Sequence, residues 1–175
     1  MGFTVEDMLI IARDKYKMEL VAGQNGWANS ISWLLMVEDT TIMENFKGKE
    51  LAVTMGAGFR TEQDLLSLVE ILDRHHAAGL VVNTGYYVKE IPASVRAYCN
   101  AHDLPLLQVP WVIEMSEMIA TANAKSIEEI KAFLSRQKET YKVPYETHPA
   151  DRPRQCVFCG SSNTMDFLPL DRTGN

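Results

Sequence analysis

Apolar and polar positions change their period in blocks from Thr4 to Pro110, and each block has the spacing of one kind of element. Val5, Met8, Ala12 and Tyr16 recur at helical spacing behind Thr4, with Glu6 and Asp7 in the first turn, which predicts a capped helix. Leu20-Val21-Ala22 reads as a short strand closed by the turn Gly23-Gln24-Asn25-Gly26. The run from Ser30 to Val37 is apolar almost throughout, as in a strand covered on both faces. Leu51 to Thr54 is another strand, ended by Gly56 and Gly58. Thr61, with Asp64 three residues on, starts a helix that carries Leu65, Leu68, Val69 and Leu72. Gly79 to Asn83 is a strand ending at Thr84-Gly85. Pro92 stands in the first turn of a helix with Val95 and Cys99 inward, and Leu106 to Val109 is a strand before Pro110.

Strands and helices that alternate in this way, with strands apolar on both faces, predict an α/β fold. The expectation is a single domain with a mostly parallel sheet flanked by helices, followed by a helical connector and a loop-rich tail. Proline supports the division. None occurs before Pro92, whereas Pro144, Pro149, Pro153 and Pro169 all lie in the tail. The boundaries expected are 3–120 for the domain, 121–142 for the connector and 143–175 for the tail.

From Met115 to Lys142 the chain is helix-forming. Met115, Ile119, Ala122, Ile127, Ile130 and Leu134 form an apolar stripe whose spacing breaks around Asn123. Ser126 with Glu129 has the capping-box pattern, so one long helix or two consecutive ones fit equally. The stripe either packs on its own domain or serves a dimerising connector. Periodicity favours the former, because the heptad register is not sustained.

The composition is that of an ordinary globular protein, with 46% apolar and 23% charged residues. Seventeen Lys+Arg against 23 Asp+Glu give a net charge of −6. With no dense Lys/Arg cluster, direct nucleic-acid binding by this chain is not expected. No apolar run approaches the roughly 18 residues of a membrane span. The N-terminal MGFTVED has no signal-peptide pattern, and Glu6 stands where a myristoylation signal needs Ser or Thr. Three cysteines, two of them in a C-x-x-C, fit a reducing cytoplasm better than a disulfide framework.

In a parallel sheet, ligands sit beyond the C-terminal strand ends. That rule gathers Thr54, Gly56, Gly58 and Arg60 with Asn83, Thr84, Gly85, Tyr86, Tyr87 and Trp111, and brings Glu38 and Asp39 near them. The glycine loop can hold an anion on its amides and on Arg60, but its third glycine position is Thr61, so it matches neither common phosphate-binding motif. The aromatic rings either stack on a small planar or carboxylated ligand or plug the sheet edge. His75, His76 and His102 are placed at helix C-termini, where capping is the plainer role than metal binding. No Ser/His/Asp, Cys/His or paired-carboxylate arrangement has catalytic spacing, so a non-enzymatic protein is expected.

Cys156-Val-Phe-Cys159-Gly160 has the form of a zinc knuckle. A tetrahedral site needs two further ligands, and His148 is the nearest histidine in sequence. Three readings stay open: half of a zinc ribbon, a zinc site completed by a second subunit, or a reduced pair without metal.

Read together, TVEDML, LVAGQNGWANSISWLLMVE, GKELAVTMGAG, AAGLVVNTGYYVKEIPASVRAYCNAHDLPLLQVPW and SEM, in this order over residues 3–120, resemble the N-terminal domain of the PucR-type transcription regulators. The strand–helix order also resembles the N-terminal domain of HPr kinase/phosphorylase. The first resemblance implies a cytoplasmic sensor domain that receives a small metabolite and controls a C-terminal helix-turn-helix. This chain carries no recognition helix and no nucleotidyl-cyclase-like domain, which implies a fragment or a stand-alone sensor. The expected partners are a purine-related or small carboxylate metabolite and a second copy of the chain as a homodimer. The competing expectation is an assembly module built on residues 115–142.

Overall fold

The computed structural model describes residues 2–134, 138–141 and 150–153. The chain forms two units, Met1–Ser126 and Ile127–Asn175. In the first, helix α1 (Val5–Tyr16) leads to β1 (Glu19–Ala22), β2 (Trp33–Met36) and β3 (Glu50–Thr54). Then α2 (Glu62–Arg74), β4 (Gly79–Thr84), α3 (Ala93–Ala101) and β5 (Leu106–Pro110) alternate, and α4 (Met115–Leu134) follows. The five strands form one sheet in the order β1-β5-β4-β3-β2. The β2, β3, β4 and β5 strands run parallel, and β1 joins β5 antiparallel.

Helices cover both faces because side chains along a strand point alternately to opposite sides. Ala52, Leu80, Val82 and Leu106 bury one face against Leu65, Leu68 and Leu72 of α2 and Val95 and Cys99 of α3. Leu51, Val53, Val81, Leu107 and Val109 bury the other against Met8 and Ala12 of α1 and Met115, Met118 and Ala122 of α4. The result is an α/β/α sandwich, the mixed α/β fold expected from the chain's alternating pattern.

Both predicted N-caps form as reciprocal capping boxes. Thr4 Oγ1 accepts from the Asp7 amide at 3.2 Å, and Asp7 returns a bond to the Thr4 amide at 2.9 Å. Thr61 and Asp64 repeat this at 3.1 and 3.0 Å. Pro92 is the residue before α3 and not one inside its first turn.

The apolar run at Ser30–Val37 has a different explanation from the one expected. The β2 strand is an edge strand, and Trp33 is 39% exposed. Its partner on the open side is a side chain. Asn123 of α4, buried, accepts from the Leu34 amide at 2.8 Å and donates to the Leu34 carbonyl at 3.3 Å. One carboxamide thus takes the place of a neighbouring strand and blunts an edge that would otherwise invite pairing.

The apolar stripe of α4 is spent on the chain's own core as far as Ala122, and α4 is one helix and not two. Tyr16 donates to Thr121 Oγ1 at 3.1 Å, and Lys15 lies 2.7 Å from Glu117. This exposed pair holds the lysine above and the glutamate below their ordinary pKa, each through the hydrogen bond to the other. In the second unit the helical reading to Lys142 overshoots. Lys138–Tyr141 is a strand, β6, antiparallel to β7 (Ala150–Pro153), in line with the strand preference of Thr140 and Tyr141.

Cys99 is fully buried on α3. Burial, with a smaller effect from the Asp73 charge, pushes its thiol up from 9.0 to about 12. Folding therefore favours the protonated thiol, and its contribution to stability, whole below pH 9, is lost as the pH rises to 12. In the native protein at about pH 8, Cys99 is expected to resist maleimide and to react only after denaturation. Mass spectrometry of labelled peptides reads this directly, and native labelling at Cys99 would contradict it.

Candidate functional site

The parallel arrangement brings the residues that follow β2, β3, β4 and β5 to one end of the sheet. Glu38, two residues beyond β2, organises the first group. Its Oε1 accepts from the Met55 amide and, at 3.1 Å, from Thr54 Oγ1, and its Oε2 accepts from the Gly58 amide at 3.2 Å. Thr54 Oγ1 in turn accepts from the Gly56 amide at 3.0 Å. The glycine loop thus already holds an anion, and that anion is the protein's own carboxylate.

Two glycines are required for this approach. A Cβ on Gly58 would stand 1.8 Å from the Glu38 carbonyl oxygen. Gly56 has φ +83°, and a Cβ there would meet the Val88 side chain at 2.4 Å. Arg60 does not face the anion. Its Nε donates to the Ala57 carbonyl at 2.9 Å, and its guanidinium lies 5.1 Å from the Tyr87 ring centre.

The second group is aromatic. Tyr86 and Trp111 stack with centres 4.6 Å apart and planes 21° apart, and Tyr87 meets both edge-on. Backbone bonds fix their loops: the Trp111 amide donates to the Thr84 carbonyl and the Gly85 amide to the Val88 carbonyl, both at 2.8 Å. Tyr86 is 59% exposed, so the stack offers an aromatic surface to solvent.

Asn83 is the unsatisfied residue of this end. It is 1% exposed, and its Nδ2 donates to the Val109 and Pro110 carbonyls at 3.4 and 3.3 Å. Its Oδ1 is buried with no donor within reach. A carbonyl left in that state costs roughly 1–3 kcal/mol, which a ligand N–H or O–H would recover.

Of the residues expected at this edge, Thr54, Gly56, Gly58 and Glu38 form one cluster, and Tyr86, Tyr87 and Trp111 another. Thr84 and Gly85 shape the second cluster through their backbone, and Asn83 binds the strand that leads to it. Arg60 and Val88 join the two clusters. Asp39 belongs to neither. It caps the 3-10 turn Thr40–Asn45 by accepting from the Thr41 amide at 2.8 Å, which holds its carboxyl below the usual range.

His75 and His102 cap the C-termini of α2 and α3. His102 Nδ1 also lies 2.9 Å from Asp73 Oδ2, which accepts a second bond from the Tyr98 hydroxyl at 3.1 Å. Asp73, His76 and His102 line a cavity of about 380 Å³. Among the described residues no group of three or more His, Cys, Asp or Glu is placed to hold a metal. Cys156, Cys159 and His148 lie outside the described residues. No described helix is long and apolar enough to cross a membrane. The feature that sequence reasoning missed is a cleft of about 900 Å³ between α1 and β1.

The purine catabolism regulatory protein-like family matches residues 10–125. The Virulence-associated protein E-like domain matches residues 81–175 and so shares 81–125 with the first. Those shared residues hold β4, α3 and β5, whose strands are hydrogen-bonded into one sheet with β1 and β3. Sheet continuity therefore keeps them with residues 10–80. No curated protein matches the chain.

Proposed function

Because the chain belongs to the purine catabolism regulatory protein-like family, a regulatory family, through residues 10–125, we propose that it is a non-enzymatic sensor of a small metabolite. The observation that carries this is the donorless carbonyl of Asn83 at the strand ends, beside a solvent-facing aromatic stack. A flat, polar ligand suits both features: its ring covers Tyr86 or Trp111, and one N–H or O–H pairs with Asn83 Oδ1. Purine-like heterocycles and small conjugated carboxylic acids belong to this class.

Oδ1 has no solvent access, so a ligand donor reaches it only when the segment after β5 moves. Asn83 Nδ2 donates to the Pro110 carbonyl, and five residues later α4 begins at Met115. Ligand capture at Asn83 is thereby coupled to the start of α4, and α4 leads out of the sensor unit. Such coupling needs a ligand that binds the moved segment better than the resting one.

Thermal-shift screening of the full chain against purines, their breakdown products and small carboxylates tests the proposal. A binder raises the melting temperature with the logarithm of its concentration. No stabilisation by any member of these classes would count against sensing at this edge.

A further inference from the structure

The cleft between α1 and β1 lies apart from the strand-end residues and has its own chemistry. Leu9, Leu20 and the half-exposed Trp27 supply apolar surface, and Arg13, Lys17 and Glu19 supply charge. Arg13 lies in the last turn of α1 and Lys17 is its left-handed C-cap, and both line the cleft. Neither has an ion-pair or side-chain hydrogen-bond partner among the described residues. Lys15, between them in sequence, turns away to Glu117. The single carboxylate of the cleft, Glu19, is engaged by Gln108 Nε2 at 2.8 Å. In a chain of net charge −6, two uncommitted cations beside an exposed tryptophan are an unusual grouping. Placement at a helix C-terminus explains their sign but not the cleft or the ring beside them.

We propose that this cleft binds a small organic anion with a flat apolar body. Arg13 and Lys17 take the carboxylate, Arg13 through its planar fork, and Trp27 covers the ring. A volume of about 900 Å³ is ample for such a ligand. The site is separate from the one proposed at Asn83, so either can stand without the other.

The probe is 1-naphthoate, titrated into the full chain, with the uncharged alcohol 1-naphthalenemethanol as control. The indole N–H resonances of Trp27, Trp33 and Trp111 report location in the unmodified protein. The expected result is a saturable shift of the Trp27 resonance with no shift at Trp111. Affinity is expected to fall at least ~10-fold in Arg13→Gln and in Lys17→Gln, and by a similar factor for the alcohol. Both substituted side chains are exposed, so the variants are expected to melt where the wild type does. Tyr86→Ala is expected to leave naphthoate binding unchanged. Three results would overturn the proposal: no shift at about 1 mM probe, a shift centred on Trp111, or equal affinity for the acid and the alcohol.

Discussion

Replacing Glu38 by Ala is expected to destabilise the protein by about 2–4 kcal/mol, and added acetate or formate is expected to restore part of the loss. One carboxylate satisfies the Met55 amide, the Thr54 hydroxyl and the Gly58 amide. Hydrogen bonds to a charged acceptor contribute roughly 1.5–3 kcal/mol each, and partial exposure of this loop reduces their sum. Truncation leaves all three donors aimed at an empty position of carboxylate size, which an exogenous carboxylate can enter. Glu38→Gln separates charge from shape, since it keeps two acceptor sites on one oxygen and places donors where Gly58 needs an acceptor. It is expected to lose stability without regaining it in acetate. Urea unfolding with and without acetate reads all three proteins. An Ala variant of wild-type stability would show that Glu38 does not organise the loop.

The second large effect is expected at Asn123. Asn123→Ala removes both partners of Leu34 on the open side of β2, leaving an amide and a carbonyl without bonds at a buried position. The expected loss is about 2–4 kcal/mol, as a lower urea midpoint at unchanged slope. Asn123→Asp keeps the acceptor for the Leu34 amide and loses the donor to its carbonyl, while burying a charge. It should therefore also be destabilised. The Ala variant is further expected to self-associate at concentrations where the wild type does not, because the sheet edge is no longer plugged. Unchanged stability together with unchanged light scattering would remove the edge-plug role.

Sequence made the local features legible and missed the distant ones. The capping residues Thr4 and Thr61, the glycines after β3 and the apolar faces of α1, α2 and α3 depend on neighbours a few positions away. The antiparallel direction of β1 depends on Leu107 and Gln108, far along the chain, so no local pattern encodes it. The break in the α4 stripe at Asn123 was visible, yet its meaning lay in Leu34. The 3-10 turn Thr40–Asn45 is not legible in the sequence, since one cap at Asp39 and no clear period announce it.

The candidate site divides in the same way. The rule for parallel sheets collected nearly all of its residues, and the aromatic stack came together as that grouping required. That the glycine loop is occupied by Glu38 was not legible, because loop conformation alone decides where that carboxylate points. The α1–β1 cleft depends on a helix face meeting an edge strand, and neither is a motif. The family match to residues 10–125 agrees with the stretch in which local reading succeeded.

Calorimetric titration of wild-type protein and Asn83→Leu, with the heterocycle or carboxylate that stabilises the wild type most, tests sensing at the strand ends directly. Leucine fills a similar volume and removes the donorless carbonyl together with the two long bonds from Nδ2 to Val109 and Pro110. Gain and loss offset, so the unliganded variant is expected to stay folded with a stability near that of the wild type. The account predicts that the wild type binds and that binding is lost in Asn83→Leu, while Arg13→Gln binds as the wild type does. Equal affinity of wild type and Asn83→Leu for that ligand would contradict it.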